Sequence, residues 1–156
     1  MQRTKKQWEK QANIIIRKLV KKASLDPSFR KKLPRKPPVI DVQFITPARI
    51  KELNGFYRRK DQVTDILTFP APKIFFDNGF MGELFVCLPV LNRQAREFKL
   101  PAGEELLILL VHGFLHLLGF THSKSSRKAV EMEKAEKKLI TAINPRASKG
   151  LIKRAK

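Results

Sequence analysis

Cysteine is nearly absent from this sequence, and a lone Cys87 cannot close an internal disulfide. Nothing in cysteine usage therefore points to an oxidising compartment. Long apolar runs are lacking too. The longest unbroken one, Leu106 to Val111, falls far short of the roughly 20 residues that span a bilayer, and His112 ends it. No apolar stretch of signal-peptide type follows the opening Met-Gln-Arg-Thr-Lys-Lys-Gln. Internal repeats and a second domain are equally absent. With 156 residues and 42% hydrophobic content, these absences lead us to expect one soluble, cytoplasmic domain with a single ordinary core and no membrane partner.

Acidic residues are scarce where basic ones crowd. The formal net charge is +19, but residues 39–145 carry only +3 of it. Residues 1–38 hold 13 Lys and Arg against Glu9 and Asp26, and residues 146–156 add five basic residues and no acid. Three segments follow: a basic helix and linker (1–38), a catalytic core (39–145), and a basic tail (146–156) expected to be mobile. Lys and Arg displace condensed counterions from phosphates, so nucleic acid is the usual partner of such a surface. A solubilising fringe or an anionic-membrane contact is the plainer alternative.

Hydrophobic spacing supplies the elements. Trp8, Ala12, Ile15, Leu19 and Ala23 recur at three- and four-residue steps and predict an amphipathic helix over 5–24, with the Ile14–Ile16 run offering a strand instead. Asp26-Pro27 ends it, and the proline-rich, basic stretch Arg30–Pro38 reads as an exposed connection. Strands are predicted at Val39–Thr46, Ile66–Phe69 and Glu83–Leu88, the last apolar enough to be central. A short helix follows Pro47, with Asn54-Gly55 a candidate break. Residues 71–81 read as a loop with a turn at Asp77-Asn78-Gly79, and residues 90–99 as a helix. Pro101, Glu104 and Glu105 open a buried apolar helix that Gly119 stops. Ser125 or Ser126 caps a last helix over 126–142, which Asn144-Pro145 ends. The class is α+β: a small mixed sheet of three or four strands covered by helices, one central helix carrying the chemistry in a zincin-like arrangement.

That chemistry lies in histidine. The chain has three, all within eleven residues: His112, His116 and His122. The first two are one helical turn apart, so both imidazoles leave the same face. Gly119 allows a sharp reversal that brings His122 back toward them. Three imidazoles with one open position describe a catalytic zinc site, one ion per chain. Three satisfied core histidines would be the bland reading, and the spacing around the glycine favours the metal. The spacing is also that of the metzincin proteases, His-Glu-x-x-His-x-x-Gly-x-x-His. Their general base stands next to the first histidine, where this chain has Gly113. Without it, peptide hydrolysis lacks a proton acceptor, whereas phosphodiester cleavage can rely on the metal and a cation such as arginine.

The chain resembles the YbeY family, bacterial ribosomal-RNA maturation factors regarded as metal-dependent endoribonucleases. The family signature, close to His-Gly-x-Leu-His-Leu-x-Gly-Tyr-Asp-His, is matched from His112 to His122. A second family segment is matched by Leu53-Asn54, Tyr57-Arg58, Lys60-Asp61, Thr64-Asp65, Leu67 and Phe69-Pro70. Gly82-Glu83-Leu84, Met132 and Glu136 agree as well. The resemblance covers residues 39–142 and does not reach the first 38.

It implies zinc on His112, His116 and His122, and a functional role for Arg58 in gripping substrate phosphate. It also implies a cytoplasmic role on ribosomal RNA of the small subunit, in maturation of its three-prime end and in ribosome quality control. Lys60, Thr68 and Thr121 are candidate supporting or substrate-binding residues, and the Thr64–Pro70 strand is a cleft wall or simply a core strand. Thr68 replaces a family serine, Ile66 a valine, and Thr121 an aspartate. Either that aspartate is chiefly a turn residue, the reading we prefer, or this member is slower. Two rival functions remain: a non-catalytic ribosome assembly factor with a structural metal, and, behind it, a metalloprotease with its base elsewhere.

Overall fold

The computed structural model describes residues 2–122 and 126–154. Helix α1 spans Lys5–Leu25 and is fixed at its start by a capping box: Gln7 N–H donates to Thr4 Oγ1, and Thr4 N–H to the Gln7 side chain. Trp8, Ala12, Ile15, Ile16, Leu19 and Ala23 face the core, while Ile14 points outward. The isoleucine run thus obeys the helical period, not a strand's. Asp26 ends α1 and caps the short α2 (Pro27–Arg30) by accepting from Ser28 N–H.

Strands β1 (Val39–Phe44), β2 (Ile66–Pro70) and β3 (Phe80–Val86) form one mixed sheet in the order β1-β3-β2. Strand β3 is central as its apolar sequence requires, parallel to β1 and antiparallel to β2. The register jumps between Val39 and Ile40, opposite Phe80 and Gly82. Gly82 has φ 144°, and any Cβ there would strike the Phe69 carbonyl, so only glycine lets β2 pair at that point.

Alternation along the strands gives each face its own core. Helix α3 (Pro47–Arg58) covers one, its Ile50 packing with Leu67, Cys87 and Val90. The other is the main core, built on α6 (Ala102–Leu117), with α1, α5 (Leu88–Glu97) and α7 (Ser126–Ile143) around it. Twelve residues of α6 are buried, including every position from Glu104 to Val111. At roughly 1.5–3 kcal/mol for each large apolar side chain, this helix contributes more burial than any surface stripe could.

Several expectations change. Helix α3 runs through Asn54-Gly55 because Asn54 is buried and donates to the Gln62 carbonyl, holding the next turn instead of breaking the helix. The loop 71–81 contains a short helix, α4 (Lys73–Asp77), and β3 begins at Phe80. Pro101 sits at the N-cap of α6, one residue before the helix. Glu104 and Glu105 are buried: Arg146 donates to Glu104 at 2.7 Å, and the Gln94 amide nitrogen, correctly oriented, reaches Glu105 at 3.1 Å. Ser125, one of the two candidate caps of α7, lies outside the described residues. The tail expected to be mobile forms a 3-10 turn at Pro145–Ala147 and helix α8 (Ser148–Arg154). Ala147 is fully buried, and Gly150 packs so closely on Ile108 and Leu100 that a Cβ would stand 2.7 Å from each.

Candidate metal centre

Helix α6 presents His112 and His116 one turn apart on the face turned toward β2. It ends in a Schellman turn: Phe120 N–H donates to the Leu115 carbonyl and Gly119 N–H to the His116 carbonyl, both at 3.0 Å. Gly119 takes φ 98°, the left-handed conformation this turn requires. The reversal carries His122 back to the first two rings. Each histidine offers one nitrogen to a cluster within 4.8 Å. His116 Nε2 lies 3.0 Å from His112 Nε2, and His122 Nε2 lies 3.3 Å from His112 Nδ1. The two short approaches use opposite nitrogens of His112, and the set of one nitrogen per ring within 4.8 Å is a three-imidazole donor set of the kind that holds zinc with a fourth position open.

The turn also sets the chemistry of His116. Its Nδ1–H donates to the Phe120 carbonyl at 3.0 Å, leaving the Nε2 lone pair toward the other rings. Burial, with the neighbouring His112, His122 and Arg58, lowers the His116 pKa from its ordinary 6.5 to about 4. Burial likewise lowers that of His122, with His112 adding to the effect and Glu136 opposing it. Ring nitrogens kept neutral are the ones a cation can use.

Glu136 completes the surroundings. Its Oε1 lies 3.4 Å from His112 Nδ1 and 3.9 Å from His122 Nε2, with the side chain only 12% exposed. A carboxylate behind a ligating imidazole fixes ring orientation and raises basicity. The sequence placed Glu136 in α7 without a role. Its signal was an acid one turn beyond Met132 and beside Ala135, both on the buried face.

The histidines open onto a cavity of about 530 Å³. Ile66, Thr68 and Pro70 of β2 form one wall, with Thr64, Asp65 and Arg58 above, and Phe120 and Thr121 at the turn. Both readings of the Thr64–Pro70 segment hold, since Leu67 on the opposite face belongs to the core under α3. Arg58, the last residue of α3, and the three histidines share this cavity, as do Thr68 and Thr121. Lys60 is exposed and is not part of the lining. Asp65 is engaged at both oxygens: Oδ1 accepts from Ile66 N–H at 2.7 Å and Oδ2 from the Gln94 amide at 3.2 Å.

Gly113 explains the missing peptidase base. It is buried against the sheet, where a Cβ would stand 2.8 Å from Leu84 Cδ2 and 3.1 Å from Ile66 Cδ1. A glutamate at this position would have to displace the Leu84 and Ile66 side chains and bury its carboxylate among them.

Three histidines that could hold a metal ion, set at the end of a buried helix and open to a cleft that Arg58 helps to line, make the arrangement that metal-assisted hydrolysis needs. The chain belongs to the YbeY family: the family model described as Endoribonuclease YbeY matches residues 1–144. The match begins at residue 1, so α1, which the motifs did not reach, is part of the family's domain. Curated relatives bearing the same name include those of Thermotoga petrophila and Thermodesulfovibrio yellowstonii. The first is 36% identical over 104 residues, 67% of each chain; the second is 38% identical over 112 residues, 69% of this chain and 68% of the relative. A Thermotoga maritima protein solved in solution superposes with a TM-score of 0.59 at 28% identity, over 91% of this chain and 85% of that one. Membership makes the chain a nuclease by class, a hydrolase of phosphodiester bonds.

Proposed function

We propose that this protein is a zinc-dependent endoribonuclease that cuts single-stranded RNA in the cavity between β2 and the end of α6. Its substrate is ribosomal RNA of the small subunit, at the three-prime end and in ribosome quality control, in the cytoplasm. Relatives named as endoribonucleases support the reaction. The observation that carries it here is the meeting of three imidazoles and Arg58 in one cavity.

His112, His116 and His122 would hold the zinc, which when bound supplies Lewis-acid stabilisation of phosphate charge and a more acidic water. Arg58 offers a planar fork of donors to the non-bridging phosphate oxygens. Thr68 and Thr64 place hydroxyls along the wall where the sugar-phosphate chain would lie. The Phe120 carbonyl and Glu136 keep two of the rings in their working tautomers.

With only three histidines and an open cavity, the centre differs from a closed structural site of four protein ligands. His116→Ala is expected to abolish cleavage of a single-stranded RNA, and Arg58→Ala to slow it on the order of a hundredfold or more, as loss of one charge-stabilising donor does. Both proteins should keep wild-type circular dichroism. Undiminished cleavage by His116→Ala would remove the proposal.

A further inference from the structure

Two large aromatic side chains stand in solvent immediately before Arg58. Phe56 is 78% exposed and Tyr57 60%. Single exposed apolar residues are ordinary, but adjoining ones beside a working cavity form a patch that marks an interaction surface. The rings are held, not loose. Phe56 meets Tyr57 edge-to-face at 4.8 Å, Tyr57 meets Phe69 at 5.0 Å, and Phe69 meets Phe85 at 5.4 Å. This ladder anchors the outer rings on β2, the edge strand whose other face lines the cavity.

The charge around the ladder selects the occupant. Arg58, Arg59 and Lys60 follow in sequence, all exposed, with Asp61 the acid next to them. Arg59 takes φ 57°, which turns the chain sharply at the end of α3, so Arg59 and Lys60 lie within three residues of Tyr57 along the chain. Aromatic rings adjoining cations accept unstacked bases and their phosphates together, without regard to sequence.

Resting on the endoribonuclease reading, we propose that Phe56 and Tyr57 form a base-stacking platform. They would hold unpaired nucleotides of the RNA strand across β2 from the metal, so that the scissile phosphate is presented to Arg58 and the histidines. The platform would select single-stranded over duplex substrate, because a paired base has no free face to give.

The test uses the full chain carrying His116→Ala, with a short 2′-O-methyl RNA oligonucleotide and an abasic strand of equal length and charge. Phe56→Ala and Tyr57→Ala are each expected to weaken binding of the base-bearing strand on the order of tenfold. Affinity for the abasic strand should stay the same, and Tyr57→Phe should retain tight binding. Photocrosslinks from 5-bromouridine should map to residues 56–57, with Tyr57 the chain's single tyrosine. Equal losses for both strands, or no loss for either, would overturn the platform. So would a change in sedimentation showing that the rings join two copies of this chain. If wild-type protein cleaves RNA while the alanine variants bind it unchanged, the platform falls and the nuclease stands. If wild-type protein neither binds nor cleaves RNA, both fall.

Discussion

At the scale of single residues, the centre depends on contacts that local sequence does not announce. The pair His112 and His116 was legible because the helical period alone aligns them. Glu136 was not, because its approach to His112 arises where α7 packs on α6. Glu136→Gln is expected to weaken zinc binding ten- to a hundredfold, read by competition with a chelator, while thermal stability of the metal-free chain changes little. The same measurement on Thr121→Asp addresses the family's missing aspartate. With Glu136 already beside two of the rings, the added carboxylate should alter zinc affinity less than Glu136→Gln does.

The lowered His116 pKa carries its own expectation. Between 6.5 and about 4 the unfolded chain takes up a proton at this residue and the folded chain does not. The unfolded state thus binds more protons, and the stability of metal-free protein falls as pH drops through that window. Below about pH 4 this contribution levels off. Urea melts of wild type and His116→Phe should diverge over that range; parallel curves would contradict the burial of a neutral ring.

At the scale of elements, α6 and its terminal turn do most to build the site, and both were visible in the sequence. The apolar run predicted burial, and Gly119 predicted the reversal. What sequence concealed was how tightly the helix meets the sheet. Gly113 is the contact point with Leu84 and Ile66. Gly113→Ala is expected to cost about 1–3 kcal/mol by overpacking, measured in chemical unfolding, with helix content preserved. Gly113→Glu should lower stability further and confer no peptidase activity on casein. Element boundaries escaped prediction where tertiary contacts overrode local signals. Asn54 reads as a breaker yet acts as a buried strut. Pro72 and the Asn78-Gly79 turn hid the five residues of α4 between them.

At the scale of the whole molecule, the charge map and the fold must be reconciled. Most positive charge lies in the terminal segments, yet these segments are also structural. Helix α1 closes the main core, and the 3-10 turn and α8 lie on α6 through Ala147 and Gly150 respectively. Composition could not reveal this, since a glycine-containing basic tail has the signature of a mobile one. Removal of residues 146–156 is therefore expected both to weaken RNA binding and to destabilise the chain. The loss of the Arg146 bond to buried Glu104 alone accounts for about 1–3 kcal/mol. The logarithm of the intact protein's affinity for single-stranded RNA should fall linearly with the logarithm of salt concentration. Among the described residues no single helix is long and apolar enough to cross a membrane.

On the proposed function, three histidines and one zinc make this fold a ribonuclease. Protein stripped by a chelator should lose RNA cleavage, then regain it in proportion to added zinc, saturating at one ion per chain, with no recovery in His116→Ala. Cleavage that persists at full rate in the stripped protein, or that zinc restores equally in the variant, would contradict the account.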